Sequence, residues 1–190
     1  MDTLLALDKD LLLFLNGLHA DWLDPVMFYI TKTFFWLPLY LFLIFLIVKQ
    51  EKKESYFALI GVVIMILMTD QITSGFMKPF FARLRPSQEP SLAGILHLVN
   101  NYKGGMYGFA SGHAANTFAV AMFCQLLLGD RHRYIWLLFV WATVMTYTRI
   151  YLGVHYPGDI LVGAAIGLTC GWIAFRLAMF LKKRFSRKQA

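Results

Sequence analysis

Thr148-Arg149-Ile150-Tyr151-Leu152-Gly153-Val154-His155-Tyr156-Pro157-Gly158-Asp159 sets a guanidinium, an imidazole and a carboxylate, separated by five residues and then three, between two long apolar runs. Facing lipid, such groups would each cost a few kcal/mol, so they belong in a bundle interior or at the water along its edge. The stretch therefore reads as a chemical site at the mouth of a helical membrane protein.

Composition supports that reading over the whole chain. Of 190 residues, 58% are hydrophobic and 15% charged, against about 45–50% and about 25% in soluble domains. One membrane domain over residues 1–190 is expected. The net charge of +7 does not imply a nucleic-acid partner, because Lys and Arg gather at the ends of apolar runs and leave no soluble basic face; the positive-inside rule accounts for the excess. Cys124 and Cys170 lie inside apolar runs and read as buried thiols, not as a disulfide or metal pair. The first twenty residues are acidic and lack a basic start and a small-residue cleavage site, so the first span is expected to act as its own insertion signal.

Outward from the opening stretch, the chain reads as an all-α integral membrane fold of five spans and an interfacial helix. Within residues 1–24, leucines from Leu4 to Leu18 alternate with Asp8, Lys9, Asp10 and Asn16 at helical spacing; the segment is too short and too charged to span and reads as an amphipathic interfacial helix. Asp24 is the expected N-cap of the next helix, with Pro25 in its first turn. The spans are Pro25–Val48, with Lys32 expected to snorkel, then Ser55–Met77, Ser111–Gly129, Tyr134–Leu152 and Gly158–Leu181, each near the length needed to cross about 30 Å of hydrocarbon. Residues 78–110 form the long loop, a length that is usually functional or disordered. Residues 182–190 form a basic tail.

Alternation of sides puts Lys49, Lys52, Lys53, Arg131, Arg133 and the tail, including Arg187 and Lys188, on one face, which should be cytoplasmic. The opposite face collects Asp2, Asp8, Asp10, Asp21 and Asp24 together with three polar clusters at span ends. These clusters run from Lys78 to Arg85-Pro86, over Ser111-Gly112-His113, and from Arg149 to Asp159. Unsatisfied N–H groups at the start of the third span suit Ser111-Gly112 to an oxyanion, and Lys78, Arg85 and Arg149 match a dianionic phosphate. Of two histidines, one suits a nucleophile and the other an acid. His155 has Asp159 four residues on to fix its tautomer, which leaves His113 as the acid. Three neighbouring cations argue against a metal at this site, and no cofactor is expected.

These motifs resemble the type 2 phosphatidic acid phosphatase family, which shares its core with vanadium-dependent haloperoxidases. Lys78 with Arg85-Pro86 matches the first motif, Ser111-Gly112-His113 the second, and Arg149, His155 and Asp159 the third, in order and at the family's spacings; Ala110 stands for the usual Pro and Thr148 for the usual Ser. The resemblance implies a metal-independent phosphatase working through a phosphohistidine on His155. In that scheme His113 protonates the leaving group, Asp159 assists His155, and Lys78, Arg85, Ser111, Gly112 and Arg149 bind the phosphate. The expected partner is a membrane lipid phosphate, such as an undecaprenyl pyrophosphate, lipid A, or phosphatidylglycerophosphate and phosphatidate. A lipid phosphotransferase with the same intermediate and a transporter are the competing classes. Arg83 is expected to be solvated or near a head group, and Asp70 to be buried, either as a partner of a site cation or as a hydrogen-bonded interior residue. His97, Asn100, Asn101, Tyr102 and Lys103 are read as solvated or as head-group readers. Oligomeric state is not legible, since lipid and subunit interfaces are equally apolar.

Overall fold

Apolar runs punctuated by charged turns give a helical bundle, and the computed structural model describes its residues 2–186. The first helix, α1 (Asp2–Gly17), buries Leu12 and Asn16, four residues apart, against the rest of the molecule. Its other face exposes Leu4, Leu7, Leu11 and Phe14 as a stripe at helical spacing, the surface an interfacial helix requires.

The expected span from Pro25 to Val48 is not one helix. It comprises α2 (Asp24–Ile30), a 3₁₀ turn (Thr33–Trp36) and α3 (Leu37–Glu51). Pro38 lacks an N–H and crowds the carbonyl four residues back, so it starts a helix instead of continuing one. The indole of Trp36 donates to the Ile30 carbonyl at the end of α2. Asp24 does not cap: it is the first residue of α2, and its carboxylate accepts from the Tyr151 hydroxyl at 2.6 Å and faces His97 Nε2 at 3.0 Å. Lys32 is exposed, its ammonium 4.4 Å from the Phe28 ring centroid.

Lys52, at φ 52°, turns the chain so that α4 (Ser55–Asp70) packs on α3. A π-helical segment (Gln71–Met77) continues α4 directly into α5 (Lys78–Phe81). Pro79 explains the widening, because it cannot donate to the carbonyl of Gly75. The long loop thus begins at Ala82, four residues later than expected. It is ordered by Leu92 and Val99, which are buried, and by Asn16, whose carboxamide accepts from His97 N–H and donates to the carbonyls of His97, Ile150 and Tyr151.

The remaining helices are α6 (Gly112–Leu128), α7 (Leu137–Tyr151) and α8 (Pro157–Ser186). The closest pairing is α6 with α8, and small residues permit it. Gly163, Gly167 and Gly171 of α8 sit at four-residue intervals against the carbonyls of Ser111, Ala115 and Ala119, a spacing that brings helix backbones into contact. Below this seam, Leu46, Met65, Phe123, Leu128, Leu138 and Ala178 form the main core. Cys124 and Cys170 are free and buried. Residues expected in the basic tail continue α8 to Ser186, and Lys182 pairs with Glu51 at 2.6 Å and Glu54 at 3.0 Å; Arg187 and Lys188 lie outside the described residues.

Two helical stretches, Thr33–Phe81 and Pro157–Ser186, are long and apolar enough to cross a membrane, and Gly112–Leu128 is a shorter apolar helix. Phe42, Phe45, Ile60, Val63, Leu67 and Phe180 point outward from them. So large an apolar exterior calls for lipid or protein cover.

Candidate active site

The loop between α7 and α8 folds back on the end of α7. Gly153 takes φ 65°, and a side chain there would strike Leu96 and Leu98; the N–H groups of Val154 and His155 then both reach the Arg149 carbonyl. His155 is left 1% exposed and Asp159 0%. The i, i+4 spacing brings His155 Nδ1 to 3.3 Å from Asp159 Oδ2, an oxygen that also accepts the Tyr156 N–H at 3.0 Å. Gly108 closes over this pair, since a Cβ there would lie 3.0 Å from Asp159 Oδ2.

The other ring nitrogen, His155 Nε2, is 3.1 Å from Arg85 Nη1. A guanidinium only donates, so Nε2 accepts, and the ring proton sits on Nδ1, facing Asp159. Burial, followed by the charges of Arg85, Arg149 and Lys78, holds the imidazole well below the usual histidine range. The ring is neutral, with its lone pair aimed among the cations.

Arg85 lies in extended chain, bridged at Leu84 to Tyr107, and donates to the carbonyls of Tyr107 and Val154. Arg149 is 2% exposed. One of its Nη atoms donates to the Thr31 hydroxyl at 2.7 Å, and the Tyr102 ring lies 5.8 Å from its guanidinium carbon. Its Nε is buried with no acceptor among the described residues. A buried charged donor without a partner is costly, and an oxyanion bound between the arginines would supply the acceptor. Thr148 keeps the hydroxyl expected of it and spends it on Thr31 and the Met145 carbonyl.

The start of α6 is docked beside this pair. Ser111 is its N-cap and accepts the Ala114 N–H, while its own N–H donates to the Asp159 carbonyl at 3.0 Å. The Ser111 N–H is therefore occupied, and the free donors at this end are its hydroxyl proton and the first-turn N–H groups of Gly112 and His113. Gly112 faces Thr73, Ser74 and Lys78, with the Lys78 ammonium 3.9 Å from where a Cβ would stand and 2.9 Å from Ser74 Oγ. His113 lines a cavity of about 240 Å³ with Thr31, Lys32, Tyr102 and Arg149.

All eight expected residues thus converge on one end of the bundle. Two expectations are corrected. Asp70 is exposed, not buried. Arg83 is not simply solvated: it is partly buried and bonds Asp159 Oδ1 at 2.9 Å and Asp8 Oδ2 at 2.7 Å. Among the loop residues, His97 is taken up by Asn16, Asp24 and a stack on His19, whereas Tyr102 does face the site. Sequence reasoning missed Arg83, Asp8, Thr31 and Gly108. Only Arg83 carried a signal: in extended chain Arg83 and Arg85 share a face.

The profile described as the PAP2 superfamily matches residues 57–183. A lipid A 4'-phosphatase of Porphyromonas gingivalis is 35% identical over 186 residues, covering 97% of this chain and 78% of that protein. One of Bacteroides thetaiotaomicron is 37% identical over 180 residues, covering 94% and 80%. The crystal structure of Aquifex aeolicus LpxE superposes with a TM-score of 0.69 at 28% identity, covering 90% of this chain and 95% of that one. With the profile spanning most of the chain and the relatives nearly all of it, the chain belongs to the PAP2 superfamily.

Proposed function

We propose that the chain hydrolyses a phosphomonoester on a lipid A-type glycolipid at the outer face of a bacterial inner membrane, through a phosphohistidine on His155. The class of enzyme follows from the family: the chain is a lipid phosphatase. The observation that carries the mechanism is the neutral His155, its Nδ1–H toward Asp159 and its Nε2 lone pair 3.1 Å from Arg85 Nη1.

In the first step His155 Nε2 attacks phosphorus. The bond from phosphorus to the ester oxygen breaks, and that oxygen takes a proton from His113. Asp159 stabilises the positive imidazole that forms, as a buried carboxylate does for a catalytic histidine. Lys78, Arg85, Arg149, the Ser111 hydroxyl and the Gly112 N–H hold the phosphoryl oxygens; such preorganised donors supply the largest share of stabilisation, with acid–base help worth about 10²–10⁴ in rate. In the second step water gives a proton to His113 and attacks phosphorus, the P–N bond breaks, and inorganic phosphate leaves with His155 neutral again.

The lipid part of the proposal is supported by two relatives that are lipid A 4'-phosphatases and by an apolar groove of about 350 Å³ lined by Tyr40, Leu43, Ile47, Val62 and Met65, which shares Thr33 with the cavity of His113 and Arg149. In the proposed topology five spans cross the bilayer, α1 lies along its outer surface, and the Lys49–Lys53 turn and the C-terminus are cytoplasmic. Phosphate release by the detergent-purified protein from lipid A, phosphatidylglycerophosphate and undecaprenyl pyrophosphate tests the proposal. Lipid A should be the preferred substrate, and an acid-labile phosphoryl-enzyme should be trapped from it. Retained activity in His155→Ala refutes the mechanism, and preference for another lipid refutes the substrate.

A further inference from the structure

Asp159 is fully buried, and a carboxylate without water needs a partner to remain charged. His155 is not that partner, because it is neutral in the resting site. The contact that meets the need is Arg83, whose Nη1 lies 2.9 Å from Asp159 Oδ1, the oxygen that His155 does not use. Arg83 is itself held on two further sides. Asp8 Oδ2 takes its Nη2 at 2.7 Å, and the Tyr156 ring centroid lies 3.9 Å from its guanidinium carbon. Asp8 Oδ1 in turn accepts the Gly158 N–H at 2.7 Å, at the start of the helix that carries Asp159.

The backbone explains how two arginines so close in sequence do different work. Residues two apart in extended chain point the same way and stand about 6.6 Å apart. Arg85 therefore meets the Nε2 end of the His155–Asp159 pair while Arg83 meets its far carboxylate end. Both Arg83 guanidinium nitrogens for which bonds are found are taken by carboxylates.

We infer that Arg83, braced by Asp8 of α1, is a positioning residue that keeps Asp159 ionised and aimed at His155, so that the N-terminal helix is part of the catalytic apparatus. The inference rests on the phosphohistidine reading above. It gives α1 a task beyond anchorage: the relay runs His155, Asp159, Arg83, Asp8 and closes on the backbone of Gly158.

Arg83→Gln, Arg83→Lys, Asp8→Asn and Arg85→Gln in the full chain test it, with kcat, KM, inhibition by inorganic phosphate as a probe of the anion site, and the unfolding temperature in detergent measured for each. Arg83→Gln is expected to lower kcat about 10²-fold, the scale of a misplaced catalytic group, with KM and the phosphate inhibition constant unchanged. Arg83→Lys should recover part of that loss. Asp8→Asn keeps an acceptor for Gly158 and should lower kcat several-fold, while Arg85→Gln should weaken inhibition by phosphate. Wild-type kcat in Arg83→Gln overturns the inference. So does a phosphate inhibition constant that rises with the loss of kcat, which would make Arg83 a phosphate ligand. If Arg83→Gln does not fold, Asp8→Asn decides, and wild-type kcat there is the overturning result. Activity in His155→Ala would remove the phosphohistidine reading itself; an inactive His155→Ala beside a fully active Arg83→Gln would remove only this inference.

Discussion

Gly163→Ala tests whether the seam between α6 and α8 sets the register of the site. A Cβ at Gly163 would stand 2.5 Å from the Ser111 carbonyl oxygen and 3.1 Å from the Ala114 side chain, where ordinary contact begins at 3.4 Å. The overlap of about 0.9 Å falls on backbone that no rotamer change relieves, so the start of α6 must move away; overpacking of this kind costs about 1–3 kcal/mol. The same shift carries Ser111, Gly112 and His113 away from Asp159, whose carbonyl receives the Ser111 N–H, and a displacement approaching 1 Å costs about 10²-fold in rate. Gly171→Ala is the control. Its Cβ would stand 2.6 Å from the Ala119 carbonyl, a nearly equal clash about 12 Å further along the helix. Both variants should lose similar unfolding temperature in detergent, but only Gly163→Ala should lose about tenfold or more in kcat. Equal losses of activity in the two would refute the register argument, and wild-type behaviour in both would refute the close packing itself.

Thr31→Val keeps the shape of a buried side chain but removes the oxygen that receives Arg149 and Thr148; it should cost about 1–3 kcal/mol of stability and weaken vanadate inhibition, and an unchanged inhibition constant would dissociate α2 from the phosphate site. His155 is neutral when folded and its value lies well below the usual range, whereas in the unfolded chain it titrates near 6.5. The unfolded state therefore binds more protons below that pH. The His155 contribution is intact above about pH 6.5 and is lost as pH falls, by up to about 1.4 kcal/mol per unit. Thermal melts from pH 7.5 to 5 should show this slope, and His155→Gln should flatten it. Lys182→Ala breaks ion pairs whose lysine is 29% exposed, so it should cost no more than about 1 kcal/mol and leave kcat unchanged, as melting and turnover measured together will show.

Much of the site was legible because its groups are chemically conspicuous. Arginine, histidine and aspartate between apolar runs cannot face lipid, and their spacing at helix ends brings them to one depth whatever the details of packing. Hydropathy alone joins Pro25 to Val48 into one span, whereas the missing N–H of Pro38 makes it the start of a second helix. The four-residue spacing of Gly163, Gly167 and Gly171 is visible in the sequence and marks a close-packing face, but which helix it meets is decided only by the fold.

The sequence by itself determined the membrane class, the all-helical character, and the eight polar residues that gather at one end of the bundle, because hydropathy and local spacing are properties of the chain taken in order. Only the tertiary structure decided which partner each charge takes. Arg83 and Asp8 are 75 residues apart and Arg149 and Thr31 are 118 apart, and no local rule ranks one carboxylate or hydroxyl above another at such distances. The helix seam brings the start of α6 to Asp159, and burial then makes each unpaired charge costly enough to select its partner. Arg83, read from the sequence as solvated or near a head group, is paired in the fold with Asp159 and Asp8.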